Sequence, residues 1–299
     1  MKVTLLGTGC PSVSTERYGP ATLVEAGDGA RLLFDCGSGV TQRLAAAQCP
    51  GRDLDAVVLT HLHSDHLVDF YQIVVSSWHQ GRDRPQRIFG PPGTRTFVEG
   101  TMALWEKELV QRINHERRPS TTALQVEVHE IAAGDVLKFG AARVSVIEVD
   151  HQPVRHAFGF IIETDAAKVA ISGDTRYCPA LIEAAQGADL LVHEVFIHRD
   201  MPIVDGLRTA ETRDNVASYH TVSDVVGKVA GEAGVGILAL THLVPPSADR
   251  DALLAEVRRD FTGPVLVGED LMCIDAASGA VRHGAMVFGV GVSDTGSGS

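Results

Sequence analysis

The chain has no run of about 18 uninterrupted apolar residues, the minimum for a membrane-spanning helix, so no membrane partner is expected. Its opening, Met1-Lys2-Val3-Thr4-Leu5-Leu6-Gly7, is too short for the apolar region of a secretory signal, and a cytoplasmic location is the expectation. Cysteine is scarce and scattered: Cys10, Cys36, Cys49, Cys178 and Cys273 contain no Cys-x-x-Cys pair. That argues against a disulfide framework and against a thiolate zinc site. Positive charge is short as well, with 26 Lys and Arg against 38 Asp and Glu, a net charge of −12. This is the wrong sign for neutralising many phosphates along a nucleic acid, so the expected partner is a small-molecule substrate and not a nucleic acid. A repeat with a fixed period and a clean linker are both missing. The 299 residues, 44% of them hydrophobic, read as one domain over residues 1–290 and a Gly/Ser/Asp-rich tail, 291–299, expected to be disordered.

Short β-type runs alternate with helical ones. Val3–Leu6, Ala21–Glu25 and Arg31–Asp35 read as strands, the last two joined at the turn Gly27-Asp28-Gly29. A helix over Val40–Gln48 and a buried strand over Asp55–Thr60 follow, then a helical pattern over Thr94–His115. Leu124–Ile131, Val136–Phe139, Val144–Val149, Phe158–Thr164 and Lys168–Ser172 are strand-like. Asp189–Val195, the helix Val222–Ala233 stopped by Gly234, the strand Gly236–Thr241, the helix Asp249–Asp260 and the strand Pro264–Gly268 finish the pattern. Hairpins first and βα units later, twice over, predict an α/β fold: a four-layer αββα sandwich with a mixed sheet pair inside and helices outside.

What the chain does have is 13 histidines, several beside aspartates at the ends of apolar runs. Strand Asp55–Thr60 leads into Thr60-His61-Leu62-His63-Ser64-Asp65-His66, which places four potential metal ligands in six residues. Side chains on an extended chain repeat every two residues, so His61 and His63 share a side. Where the chain turns, Asp65 and His66 leave in another direction, and one loop can feed two adjacent ions. His151, Asp174 and His242 each follow a predicted strand. Ligands of open α/β sheets gather outside the carboxyl ends of strands, so these positions imply one convergent site. Five imidazoles and two carboxylates suit Zn²⁺ best, with Mn²⁺ or Fe as alternatives. Burying that many titratable groups without a metal would be costly.

Thr60-His61-Leu62-His63-Ser64-Asp65-His66 resembles the signature of the metallo-β-lactamase superfamily, in the form found in its ribonuclease Z and arylsulfatase-like branch. Leu6-Gly7-Thr8-Gly9, Leu33-Phe34-Asp35-Cys36-Gly37, Ser172-Gly173-Asp174-Thr175, Val192-His193-Glu194 and Thr241-His242-Leu243 extend the likeness over about residues 3–275. The resemblance implies that His61, His63 and His151 bind one zinc, that Asp65, His66 and His242 bind the other, and that Asp174 bridges them. It also implies that His220 acts at the leaving group or the developing oxyanion. Asp65 and His220 are thus the candidate catalytic residues, and a homodimer is implied as well. Ribonuclease Z carries a long tRNA-binding arm, often between the positions of His151 and Asp174, where this sequence has only 22 residues. Tyr18-Gly19-Pro20-Ala21 and His156-Ala157-Phe158-Gly159-Phe160 look more like the arylsulfatase-like members.

Two zinc ions sharing a water would lower its pKa towards about 7 and supply hydroxide at neutral pH. The leading expectation is therefore a dinuclear zinc hydrolase of small esters, phosphodiester or aryl sulfate, using a metal-bridging hydroxide. A lactone or cyclic-amide hydrolase and a ribonuclease Z-type tRNA 3′ endonuclease are the alternatives. Around the site, Asp35 is either an acceptor that holds a ligand imidazole or a plain turn residue. The long segment His198–Tyr219, Tyr18 and Trp105 are expected as pocket walls. Arg112, His115, Arg117 and Arg118 are a solvated helix face or an anion-attracting wall. Gly7-Thr8-Gly9 reads as a tight loop, because the third glycine of a dinucleotide fingerprint is missing.

Overall fold

Alternation within single strands sets the architecture. In the strand Leu190–Phe196, Leu190 and Val192 enter one buried cluster while Leu191 and Val195 enter another. Ile237 and Ala239 part from Leu238 and Leu240 in the same way, and Leu32 and Phe34 from Leu33. A strand apolar on both faces needs cover on both. The computed structural model, which describes residues 1–290, meets that need with two facing sheets and helices outside them.

A nine-stranded sheet runs from the C-terminal hairpin Ala280–His283 and Met286–Gly289 through Met272–Asp275, Lys2–Gly7, Ala21–Glu25, Arg31–Phe34, Ala56–Val58 and Gln86–Gly90 to Val126–Glu130. The seven-stranded sheet runs from Val265–Val267 through Ile237–Val244, Leu190–Phe196, Ala167–Ile171, Ala157–Thr164 and Ala142–Val149 to Val136–Phe139. Between them Phe34 and Phe160 meet at 5.3 Å, both buried. Truncating such a phenylalanine to alanine costs about 3–5 kcal/mol. Outside, helices Val40–Ala46 and Phe70–His79 cover the larger sheet with Leu44, Phe70, Ile73 and Val74. Helices Ser223–Ala233 and Arg250–Val257 cover the smaller one with Val226, Ala230, Leu253 and Val257. These are the four layers the sequence predicts.

The differences are local. Strand Asp55–Thr60 shortens to Ala56–Val58 because the chain leaves the ladder to build the histidine loop. Helix Phe70–His79, strand Gln86–Gly90, helix Pro179–Ala184 and the three strands after residue 271 are additions. The segment His198–Tyr219 is not bare loop, since Thr209 accepts a hydrogen bond from the Thr212 N–H and starts the helix Ala210–Ala217. At the 27–29 turn only Gly29 takes positive φ, +93°. Gly7 sits where a Cβ would meet the Gly19 carbonyl oxygen, which makes Gly7-Thr8-Gly9 a point of close backbone packing. All five cysteines are free thiols. Among the described residues no helix is long and apolar enough to cross a membrane. The tail, 291–299, lies outside the described residues.

Candidate metal centre

Past Val58 the chain is held extended by its neighbours. The Thr60 N–H donates to Asp35 Oδ1 at 2.8 Å, and the Thr60 carbonyl accepts the Phe158 N–H at 2.9 Å. The extended stretch lasts to His63, after which Ser64–His66 forms one tight 3₁₀ turn. His61 and His63 therefore leave on one side and the turn redirects Asp65 and His66. The Cys36 N–H, donating to the His66 carbonyl at 2.7 Å, pins the end of the loop.

Three more strands bring the remaining groups. His151 follows Ala142–Val149, and Asp174 follows Ala167–Ile171 through Gly173, which takes φ +60° where a Cβ would meet the Phe158 carbonyl oxygen at 2.5 Å. His242 is placed differently from the expectation that its strand ends at Thr241. The strand continues to Val244, and the register against Leu190–Phe196 slips there: Glu194 pairs Thr241 but Val195 pairs Leu243. His242 is the extra residue of that bulge, at φ +44°. A bulge re-aims a side chain, here toward the other ligand candidates.

The convergence is tight. Asp174 Oδ2 lies 3.9 Å from His61 Nε2, 4.0 Å from His151 Nε2, 3.4 Å from His66 Nε2 and 3.5 Å from His242 Nε2. Asp65 Oδ2 is 3.5 Å from His66 Nε2 and 3.3 Å from His242 Nε2, and His63 Nδ1 is 3.4 Å from His151 Nε2. Ligands bound tetrahedrally at about 2.0–2.2 Å stand about 3.3–3.6 Å apart, close to these separations. One group comprises His61, His63, His151 and Asp174, and a second comprises Asp65, His66 and His242. Donor sets of this kind fit a dinuclear metal site, with Asp174 between the two halves.

Metal fit is also written in what the rings lack. His61 Nε2 and His66 Nε2 are buried without a hydrogen-bond partner, which is costly unless a cation takes the lone pair. Their other nitrogens are committed. His61 Nδ1 is 3.0 Å from the Thr60 hydroxyl, His66 Nδ1 is 2.8 Å from Asp35 Oδ2, and His151 Nδ1 donates to the Tyr219 carbonyl at 2.8 Å. Such partners fix ring orientation and tautomer. Asp35 is thus the acceptor that holds an imidazole, not a plain turn residue. Burial pushes the His61 pKa well below the usual histidine range and keeps it neutral, as ligation requires.

His220 joins the centre from a different direction. It lies just ahead of helix Ser223–Ala233, 4.0 Å from Asp174, and its Nδ1 is engaged by Glu194 Oε1 at 2.9 Å. Burial alone would lower its pKa, but Glu194 and then Asp174 carry it up to about 9. Glu194 also accepts the Thr175 and Thr221 N–H groups. Its role escapes sequence reasoning, although a carboxylate inside the all-buried strand Leu190–Phe196 signals that it must have partners.

A cavity of about 350 Å³ opens over the cluster. Met201, Arg208, Val216 and Tyr219 of the 198–219 segment form its wall, as expected. Tyr18 and Trp105 do not. Tyr18 packs under the Arg43 guanidinium, and Trp105 stacks on Tyr71 at 4.5 Å. The basic run is a solvated face: Arg112 pairs with Glu108 and Glu116, and Arg118 lies over Trp78. A larger cavity, about 760 Å³ beside Arg17, Arg43 and Arg250, contains none of the ligand candidates, so size does not locate the chemistry here.

Comparison with known proteins agrees with this geometry. Residues 1–204 match the family described as Anti-Pycsar protein Apyc1. The chain is 40% identical over 276 residues to a ribonuclease Z of Mycobacterium bovis, covering 91% of this chain and 96% of that protein. Among solved structures it resembles the metallo-β-lactamase fold protein YhfI from Bacillus subtilis, with TM-score 0.70, 23% identity, and coverage of 92% of this chain and 99% of that one. It also resembles the short form of human tRNase Z, with TM-score 0.68, 23% identity and the same coverages. With the sheet pair, the histidine loop and this kinship in agreement, the chain belongs to the metallo-β-lactamase superfamily, in its ribonuclease Z branch, and is a metal-dependent hydrolase.

Proposed function

We propose that the protein is a two-zinc phosphodiesterase acting on RNA in the manner its ribonuclease Z relatives are named for. The observation that carries this reading is 40% identity extending over 96% of a ribonuclease Z. The sequence alone ranks small esters first and RNA behind acyl substrates, partly because a long arm is missing between His151 and Asp174. That reason loses its force, because a relative matched end to end over 276 residues has no room for a long arm either.

In this reading His61, His63 and His151 would hold one zinc and Asp65, His66 and His242 the other, with Asp174 placed to serve both. The ions would supply a water of lowered pKa and polarise a phosphoryl oxygen. The chain's own groups do the rest. Asp35 and the Tyr219 carbonyl orient His66 and His151, and His220, held by Glu194, gives its proton to the departing oxygen. Residues 1–290 act as one hydrolase domain, and the active form is a homodimer.

A second reading, a small phosphodiester as substrate, is favoured by the cavity. About 350 Å³ is at the small end of ligand pockets, which span about 300–1,000 Å³. The deciding experiment gives zinc-loaded protein an end-labelled precursor tRNA and bis(p-nitrophenyl) phosphate. Cleavage of the RNA at one 3′ position at low enzyme concentration is the expected result. Turnover of the small diester with intact RNA would replace the first reading by the second.

A further inference from the structure

The cavity over the ligand cluster contains one formal cation besides the histidines, Arg208. It forms no ion pair among the described residues, and its hydrogen bond is a single 3.3 Å donation to the Pro202 carbonyl. Elsewhere in the same segment guanidinium groups are spoken for, Arg199 by Asp200 and Glu256, and Arg213 by Asp214. Arg208 is also placed by its backbone. Its N–H donates to the Val204 carbonyl at 2.8 Å and its carbonyl accepts the Val204 N–H at 2.9 Å, closing a five-residue turn through Gly206 at φ +70°. The next residue, Thr209, caps helix Ala210–Ala217, and beyond that helix lie Tyr219 and His220. One short segment thus carries a half-buried guanidinium at one end and the groups that orient His151 and act at the leaving oxygen at the other.

A guanidinium with most of its N–H donors uncommitted, lining the same open cavity as the ligand candidates His63, Asp65, Asp174 and His242, matches phosphate oxygens in charge and geometry. We infer that Arg208 is a specificity-determining residue that binds a phosphate oxygen of the substrate, selecting anionic phosphodiesters over neutral esters. This rests on the phosphodiesterase reading and sharpens it, since a lactone or cyclic amide has no oxyanion to offer this side chain before reaction.

The test uses zinc-loaded full-length protein and AMP as probe, with binding measured by calorimetry. Arg208→Ala is expected to weaken AMP binding about 10- to 100-fold, the scale of a charged hydrogen bond, with zinc content unchanged. Arg208→Lys recovers part of the loss, because the charge remains and the fork does not. Arg213→Ala, on the same segment but paired with Asp214, binds AMP as the parent does. Equal AMP affinity in Arg208→Ala and the parent, or a parent that does not bind AMP, overturns the inference. Binding of AMP that depends on Arg208 in a protein that cleaves no phosphodiester leaves the phosphate site standing and removes the phosphodiesterase reading.

Discussion

Two buried carboxylates beside the centre, Asp35 and Glu194, each hold an imidazole, Asp35 that of His66 and Glu194 that of His220. Asp35 accepts three donors: the Thr60 N–H, the Thr60 hydroxyl and His66 Nδ1. In Asp35→Asn the shape is kept, but an amide NH₂ facing His66 Nδ1 forces the other tautomer and takes Nε2 away from the metal. Zinc affinity is expected to fall about 10- to 100-fold, the usual cost of losing such a partner, as read by chelator competition. Asp174 and His220 separate in the same assay. Asp174→Ala removes the oxygen that lies 3.4–4.0 Å from His61, His66, His151 and His242 and is expected to lower zinc content from about two ions per chain and abolish turnover. His220→Ala is expected to keep both ions and lose about 10²–10⁴-fold in rate, the scale of proton transfer to a leaving group. A zinc-depleted His220→Ala would make His220 a ligand. The seven ligand candidates are legible because metal chemistry needs rare residue types at strand ends. Glu194 is not, because its partner His220 lies 26 positions along the chain and meets it only after folding.

At the scale of elements, continuous apolar runs such as those within Asp55–Thr60 and Asp189–Val195 reveal strands buried on both faces and therefore the layers. Sequence pattern fails where a local signal is diverted to tertiary work. Helix Phe70–His79 has its apolar residues at helical spacing, but Asp69 does not cap it. The Asp69 carboxylate instead accepts the Thr41 N–H and hydroxyl at 3.0 and 2.7 Å. The bulge at His242 was equally hidden, since a register slip belongs to the pair of strands and to neither sequence alone. The C-terminal strand Met286–Gly289 is exposed along its length and so shows no alternation. Gly173 is the element-scale position with the sharpest consequence. Alanine there meets both a positive φ and the Phe158 carbonyl oxygen, and Asp174 is the next residue. Gly173→Ala is therefore expected to lower the melting temperature and the zinc content together, with a loss of at least about 1 kcal/mol. A melting temperature equal to that of the parent would show that the turn can relax without cost.

At the scale of the whole molecule, the proposed RNA substrate would have to be met by a chain of net charge −12. Of the basic run, Arg112 is paired with Glu108 and Glu116 and Arg118 with Glu116, which leaves it few free contacts. A protein making 6–10 phosphate contacts loses about 10³–10⁵ in affinity between 50 and 200 mM salt. In the proposed reading the attraction would be concentrated at the two ions and Arg208, a handful of contacts at one end of the substrate. RNA recognition of that kind reads an end and a shape more than a backbone. The affinity of the zinc-loaded protein for precursor tRNA is therefore expected to fall by less than about 100-fold over the same salt range, measured by filter binding under non-cleaving conditions. A steeper fall would mean that the RNA meets more cationic groups than the proposed ions and Arg208, the cluster Arg17, Arg43 and Arg250 being the first candidate.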